Sequence, residues 1–570
     1  MSQEARAGAG EVYDAIVVGS GITGGWAAKE LTGKGMRVLL LERGRPVEHG
    51  AGYITEHQAP WDAPYRGRGD RRRFERDQYL QSQAGPVNEY NSHFFVNDRE
   101  SPYTFDDDKP FLWIRGHHLG GRSIMWGRQS YRWSDLDFEA NAREGIAVDW
   151  PIRYADLAPW YDYVEDFVGL SGQAEGMPQL PDSRFLPPMP MNAAEIRVKE
   201  GLETAYPDRR LTIGRTAILT RPLHGRAACH YCGPCDRGCS VGAYFCSLSS
   251  TLPAALETGR LTVRTHSIVE RLIYDESRDV VTGVRVIDAE THEDLEFRAR
   301  LVFLCASALA STQILLASAT PRFPDGLGNS SGTLGHYLMD HHFKVGAAGT
   351  VPGLDDRYYY GRRPNGIYLL RFRNVDARTR HPDFVRGYGY QGGASREGWD
   401  RGISEPGLGV ELKTRLRTPG RWRMSLWAFG EMLPRYENHV TLDPLVTDAW
   451  GIPVLRIHCT LGENELAMRR DMMTAGAEML EAAGCTEVEA SEDVYRPGEG
   501  IHEMGTARMG RDPRTSVLND FNQLHDVPNV FVTDGACMTS AACQNPSLTY
   551  MALTARACDH AVEAVKRGEL

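Results

Sequence analysis

The stretch VYDAIVVGSGITGGWAAKELTGKGMRVLLLERG, residues 12–44, limits what this chain can fold into more than any other. An apolar run is followed by Gly19, Gly21 and Gly24 in the spacing G-x-G-x-x-G. A helix-compatible segment comes next, then a second apolar run that ends at Glu42. This is the pattern of a β-α-β unit that cradles a dinucleotide. The first glycine permits the tight turn, the second lets backbone approach a pyrophosphate, and the third lets helix and strand pack closely. The helix then presents the positive end of its dipole to the phosphates. Glu42 stands about 20 residues on, where a carboxylate can hold ribose hydroxyls. A carboxylate there repels a 2′-phosphate, which disfavours NADP. A glycine turn that merely packs a helix is the plainer alternative, but its placement between two strand-like runs favours the dinucleotide.

At 570 residues the chain has room for roughly two to four domains. Its formal net charge of −11 excludes the basic footprint of a nucleic-acid binder. No stretch reaches the roughly 18 consecutive apolar residues of a membrane-spanning helix. The opening residues, MSQEARAGAGEVYDAIVVG, have neither a basic-then-apolar export signal nor a twin arginine, so the chain is expected to carry no export signal of its own. Residues 50–110 lack periodicity and read as cover over a site. Residues 137–170 read as helix broken by Pro151 and Pro159. Residues 260–304 read as strands with a helix after them, residues 341–460 as a largely antiparallel sheet, and residues 463–484 as a helix. The tail from 525 to 566 reads as strand, glycine turn, loop and helix.

Four separated stretches carry a family resemblance. RGHHLGGRSIMWGR (115–128), LVFLCASALASTQILLAS (301–318), HEMGTARMG (502–510) and NVFVTDGACMTSAACQNPSLTYMALTARA (529–557) resemble, in order, the motifs of the glucose–methanol–choline (GMC) oxidoreductases. Ser307 stands where that family more usually has glycine. The tail is most similar to pyranose 2-oxidase and to bacterial sugar dehydrogenases such as glucoside 3-dehydrogenase and FAD-glucose dehydrogenase. The resemblance implies FAD and oxidation of an alcohol. It adds Gly120, Gly121, Ser123, Asp534 and Gly535 to the cofactor-binding set of Gly19, Gly21, Gly24 and Glu42. It also implies an α/β Rossmann-like FAD domain of the glutathione-reductase kind, with an α+β substrate domain built on a mainly antiparallel sheet. The FAD domain is expected to comprise residues 1–60, 111–135, 225–340 and 496–570, including a cysteine-rich loop at 229–246. The substrate domain and cover take 61–110, 136–224 and 341–495. In pyranose oxidase a histidine before the tryptophan of the glycine loop attaches to the flavin. Here that position is Met125, so FAD is expected to be non-covalent. His117 and His118 lie nearby and read first as loop residues.

The resemblance places the chemistry on His502 as the base and Asn545 as its partner, with hydride passing to flavin N5. A neutral imidazole suits that task because its ordinary pKa lies near 6.5. A buried histidine and an Asn-Pro turn are the plain readings of the same two residues. His525 reads as a loop residue. Trp422, Trp427, Phe429 and Glu431 alternate in a strand-like stretch and offer ring faces to a sugar, or simply sheet core.

Cys229, Cys232, Cys235 and Cys239 have the spacing C-x2-C-x2-C-x3-C, which suits an iron–sulfur cluster. Ser240 replaces the proline of the bacterial ferredoxin run. Zinc, and buried thiols or disulfides, remain open as alternatives. The related dehydrogenases carry such a run, where a three-iron or four-iron cluster takes electrons singly from reduced flavin. By that resemblance the chain is expected to oxidise a ring hydroxyl of a sugar or glycoside, position 3 first. A small Tat-exported subunit and a cytochrome c are the implied partners, with periplasmic location by co-export or a cytoplasmic one as the alternative. An oxygen-using pyranose or C-glycoside oxidase with structural cysteines is a second reading, and a non-redox lyase or binding protein a third.

Overall fold

The computed structural model describes residues 11–359, 361–398, 401–402 and 407–570. The reading of the first ten residues therefore lies outside the described residues. The predicted β-α-β unit forms from strand Val12–Val18, helix Ile22–Gly33 and strand Val38–Leu41. Both strands are apolar and almost wholly buried, as parallel strands covered on two faces must be. They pair in parallel with each other. Val38–Leu41 pairs onward with Leu261–Arg264, and Val12–Val18 with Asp294–Leu304. Asp294–Leu304 carries the late strand Val530–Val532 along its upper half and Val280–Asp288 antiparallel along its lower half. Ser267–Asp275 completes this seven-stranded sheet. The last helix, Ser547–Arg567, packs on the first, Ile22–Gly33.

A second sheet of six strands runs in the order Thr486–Glu492, His341–Val351, Trp422–Glu431, Tyr388–Arg396, Ile367–Leu369, Leu211–Ile213, antiparallel at every pairing. Its outer strands come from beyond the stretch in which alternation was legible. Helix Glu463–Ala482 covers one face through Met468, Met472, Ala475 and Met479. Trp422, Met424, Leu426 and Ala428 point to that same buried core. Trp422 thus faces away from Phe429, and the four aromatic and acidic positions singled out there do not share a face. Glu431 is buried and paired with Arg386 at 3.3 Å, so it is not a ligand-facing group.

Pro151 precedes helix Tyr154–Val168, as read, but Pro159 sits inside it without breaking it. Proline there forgoes one backbone bond to residue 155. Ala155 and Pro159 are both exposed, so water can take that carbonyl. Among the described residues no helix is long and apolar enough to cross a membrane.

Candidate active site

The glycine turn opens into one cavity of about 550 Å³ lying between the two sheets. Each glycine has a separate local reason. Gly19 has φ +92°, and a Cβ there would come within 2.6 Å of the Cys305 carbonyl oxygen. A Cβ on Gly24 would overlap the Gly19 carbonyl oxygen. A Cβ on Gly21 would meet nothing within 4 Å and would project from the cavity wall. The helix beginning at Ile22 has no side-chain cap, so its first N–H groups remain free to take an anion.

Glu42 lines the same cavity. Its carboxylate accepts from the backbone N–H of Ser20 at 3.1 Å and of Gly44 at 2.8 Å, and from the Ser20 hydroxyl. Burial raises its pKa against these donors. Gly121 and Ser123 line the cavity, whereas Gly120 lies behind them and makes the turn, with φ +86° and its N–H on the Ser20 hydroxyl at 2.9 Å. Asp534 and Gly535 line the opposite wall. The Asp534 carboxylate takes the Ser311 hydroxyl and the N–H groups of Ser307 and Ala536, and burial pushes its pKa up to about 6. Ser307 is held at φ +84°, ψ 156°, a region that belongs almost to glycine alone. The glycine expected at that position by the family pattern is therefore conformationally accounted for.

Among the described residues, the buried polar atoms on the wall that lack a hydrogen-bond partner include the Tyr550 hydroxyl and Glu503 Oε1. Together with the open face of Gly21 and the uncapped helix start, they fit a long polar cofactor with phosphates at one end. Met125 and His117 also line the cavity, while His118 turns away and places Nδ1 3.1 Å from the Leu119 carbonyl.

His502 and Asn545 meet on this wall: Asn545 Nδ2 lies 3.3 Å from His502 Nε2. His502 is half-buried, and its pKa is pushed well below the ordinary histidine range by desolvation, by His341 and by Arg122. It is therefore a neutral imidazole. His525 is elsewhere, with Nε2 on the Ser516 hydroxyl at 3.1 Å, as befits a loop residue. Phe343 and Phe429 stack at 5.2 Å on neighbouring strands and form an apolar shelf beside Gln391. Pro86, Asn91 and Phe95 from the aperiodic segment supply part of the cover.

The cysteine loop reaches the cavity too. Asp236, between Cys235 and Cys239, lines it and accepts from Asn88 and Asn91 at 2.9 and 3.1 Å. Arg128 lines it as well and donates to the Cys235 carbonyl at 3.1 Å. Cys229, Cys232, Cys235 and Cys239 are free thiols; Cys232 is exposed and the others half-buried. Burial first, and neighbouring thiols second, raise the pKa of Cys229, Cys235 and Cys239, with Cys235 pushed up to about 11. Among the described residues no three His, Cys, Asp or Glu side chains are gathered to hold a metal ion. The expected ligand set is thus not assembled in this conformation: the loop is shaped by packing, with Gly238 lying against the Tyr53 ring. Cys246 is buried behind Ser123, its sulfur 3.4 Å from the Ser123 hydroxyl.

Asp340, His341, Gln391, Phe343 and Tyr550 were not singled out by sequence. Only the run Asp340-His341-His342 carried a signal, an acid and two imidazoles at the start of a strand.

The family described as GMC oxidoreductase matches this sequence twice, over residues 13–343 and 434–554. A 2-methyl-1,2-propanediol dehydrogenase of Mycolicibacterium austroafricanum is 30% identical over 96% of this chain and 94% of its own. Paromamine 6′-oxidase of Streptomyces fradiae is 27% identical over 95% of this chain and 90% of its own. The fructose dehydrogenase large subunit of Gluconobacter japonicus is 25% identical over 97% and 98%. Among solved structures, a pyridoxine 4-oxidase from Mesorbium loti shares the fold with a TM-score of 0.61 at 16% identity, over 96% of this chain and 98% of that one.

Proposed function

The chain belongs to the GMC oxidoreductase family, which oxidises CH–OH groups with FAD, and from that premise we propose that it oxidises a ring hydroxyl of a sugar or glycoside to a ketone, position 3 first. The observation that carries this reading is the pairing of His502 with Asn545 on the wall of the glycine-turn cavity. The relatives named for fructose and paromamine support a carbohydrate-like substrate. So does the shelf of Phe343 and Phe429, which can take the flat face of a sugar while Gln391, Arg128 and Asp236 address its hydroxyls.

Gly19, Gly21, Gly121, Ser123, Glu42, Asp534 and the start of helix Ile22–Gly33 would hold FAD, non-covalently since Met125 stands where pyranose oxidase has its attachment histidine. Bound there, FAD supplies the acceptor of the carbinol hydride. The chain's own part is to orient and to move a proton. Asn545 holds the substrate oxygen, and neutral His502 takes the hydroxyl proton. Trading His502 for Ala is expected to slow anaerobic flavin reduction by substrate at least ~10²-fold. Near-normal reduction would remove His502 from the reaction. A sugar panel with a dye acceptor, its products read by NMR, identifies the hydroxyl.

The electron acceptor divides two readings. In the first, Cys229, Cys232, Cys235 and Cys239 carry an iron–sulfur cluster that serves a cytochrome c, in a periplasmic complex with a small exported subunit. The spacing and the shared neighbourhood of the thiols support it, as does a relative named as a large subunit. Among the described residues the thiols are not gathered around a point, so a cluster would have to draw them together. In the second reading oxygen is the acceptor, as in the relative named an oxidase. Iron and acid-labile sulfide in anaerobically purified protein, with ferricyanide against oxygen as acceptor, decide between them. Cell fractionation tests the location.

A further inference from the structure

The base has a partner of its own. His341 is far from His502 in sequence, yet their Nδ1 atoms lie 3.0 Å apart, with the rings at 74°. The backbone N–H groups of both histidines donate to one oxygen of buried Asp340, at 2.8 and 3.1 Å, so the two rings hang from a common anchor. A hydrogen bond between two neutral imidazole nitrogens needs one donor and one acceptor. The far side of His341 decides which is which. Its Nε2 lies 3.2 Å from the Ala541 carbonyl oxygen and 3.1 Å from that of Ala542, and carbonyl oxygens can only accept. His341 Nε2 therefore carries the hydrogen. Burial lowers the His341 pKa to about 4, so the ring holds that one hydrogen and no other. Its Nδ1 is bare and accepts, which makes His502 Nδ1 the donor.

His502 is neutral as well, and its single hydrogen is then spent on Nδ1. The other side of the pair agrees. Gln391 Nε2 donates to Asn545 Oδ1 at 2.7 Å, and Asn545 turns its N–H toward His502 Nε2. An N–H facing that nitrogen needs a lone pair there. Hydrogen-bond polarity thus runs one way from two backbone carbonyls, through two imidazoles and two carboxamides. Reversing the His502 tautomer would set two lone pairs against each other at one end and two N–H groups at the other.

We propose that His341 is a positioning residue that holds His502 in its Nδ1–H tautomer, so that a bare Nε2 and the Asn545 N–H together receive the substrate hydroxyl. The inference rests on His502 being the base. In the step it prepares, the substrate O–H bond breaks and an N–H bond forms at Nε2. The charge that His502 gains is met at Nδ1 by the acceptor nitrogen of His341.

The test is a two-bond 1H–15N spectrum of the FAD-loaded enzyme labelled with 15N-histidine, with His502 assigned as the signal lost in His502→Ala. The expected pattern is a protonated Nδ1 and a bare Nε2 on His502, with the reverse on His341. A protonated Nε2 on His502 overturns the proposal whatever any variant does. His341→Asn places a carboxamide oxygen where Nδ1 accepted and is expected to keep the tautomer and most of the rate of flavin reduction. His341→Leu offers no acceptor and is expected to lose about 10-fold or more, short of the ~10²–10⁴-fold that removing a base costs. Equal losses in two variants that fold and retain FAD would make His341 a packing residue only. Normal reduction by His502→Ala would instead sink the base, a result distinct from either tautomer outcome.

Discussion

The second and third glycines of the turn can be told apart by the same substitution. At Gly21 the backbone sits at φ −66°, ψ −156°, which alanine can adopt, and the added Cβ would meet nothing within 4 Å. Gly21→Ala is therefore expected to leave the flavin-free protein within about 1 kcal/mol of its original stability, the cost of a poorer helix cap. The methyl instead occupies the surface that a pyrophosphate would approach. Forcing an extra carbon into a close contact costs about 1–3 kcal/mol. At about 1.4 kcal/mol per decade, FAD affinity falls roughly 5- to 150-fold. At Gly24 the order reverses. The Cβ would overlap the Gly19 carbonyl oxygen, which is backbone and has nowhere to retreat, so helix and strand must part. Gly24→Ala is expected to lower the thermal midpoint of the flavin-free protein by about 1–3 °C, as a loss of about 1–3 kcal/mol implies for a chain of this size. The assay is thermal unfolding of the stripped protein beside titration with FAD followed by flavin fluorescence. Undiminished FAD affinity in Gly21→Ala would refute the placement of the pyrophosphate. An unchanged midpoint in Gly24→Ala would refute the close contact.

Ser307→Gly should raise the thermal midpoint, because relief of about 1–3 kcal/mol of backbone strain outweighs the 0.5–1 kcal/mol that glycine loses in freedom; a lower midpoint would show the conformation unstrained. Alkylation with iodoacetamide follows the thiolate, so at pH 8 exposed Cys232 should react first. Burial raises the pKa of Cys229, Cys235 and Cys239, reaching about 11 at Cys235, so their rates should climb as pH rises toward that range. Mass spectrometry of timed samples reads the order, and uniform labelling at pH 8 would contradict it. In protein reconstituted with iron and sulfide, protection of all four would favour the cluster.

The parts legible in sequence were those with a local rule behind them. Strand Val12–Val18, the glycine turn and Glu42 lie within one short β-α-β unit, so spacing alone carries their meaning. Helix Glu463–Ala482 and strand Trp422–Glu431 show their periods within their own length. His502 and Asn545 were found through family motifs rather than through any pattern of residue types. His341 escaped because its role depends on contact with residues at 502, 541 and 542, and no local period marks a long-range hydrogen bond. Strand Leu211–Ile213 escaped for a related reason: three residues are too few to display alternation, and their state is set by pairing with Ile367–Leu369. The metal reading of the cysteines went further than the fold does, since regular spacing along a chain says nothing about where the sulfur atoms point.

The first strand of this protein finds one neighbour soon after it is made, but its other, Asp294–Leu304, comes some hundreds of residues later, and that strand waits in turn for Val530–Val532. The opening helix likewise rests on the closing one. On the ribosome, then, the nucleotide-binding sheet cannot finish until Val530–Val532 has been made. A cavity lined by residues as far apart as Val18 and Tyr550 takes shape only after that strand and the helix behind it have been made, so flavin loading becomes a late event.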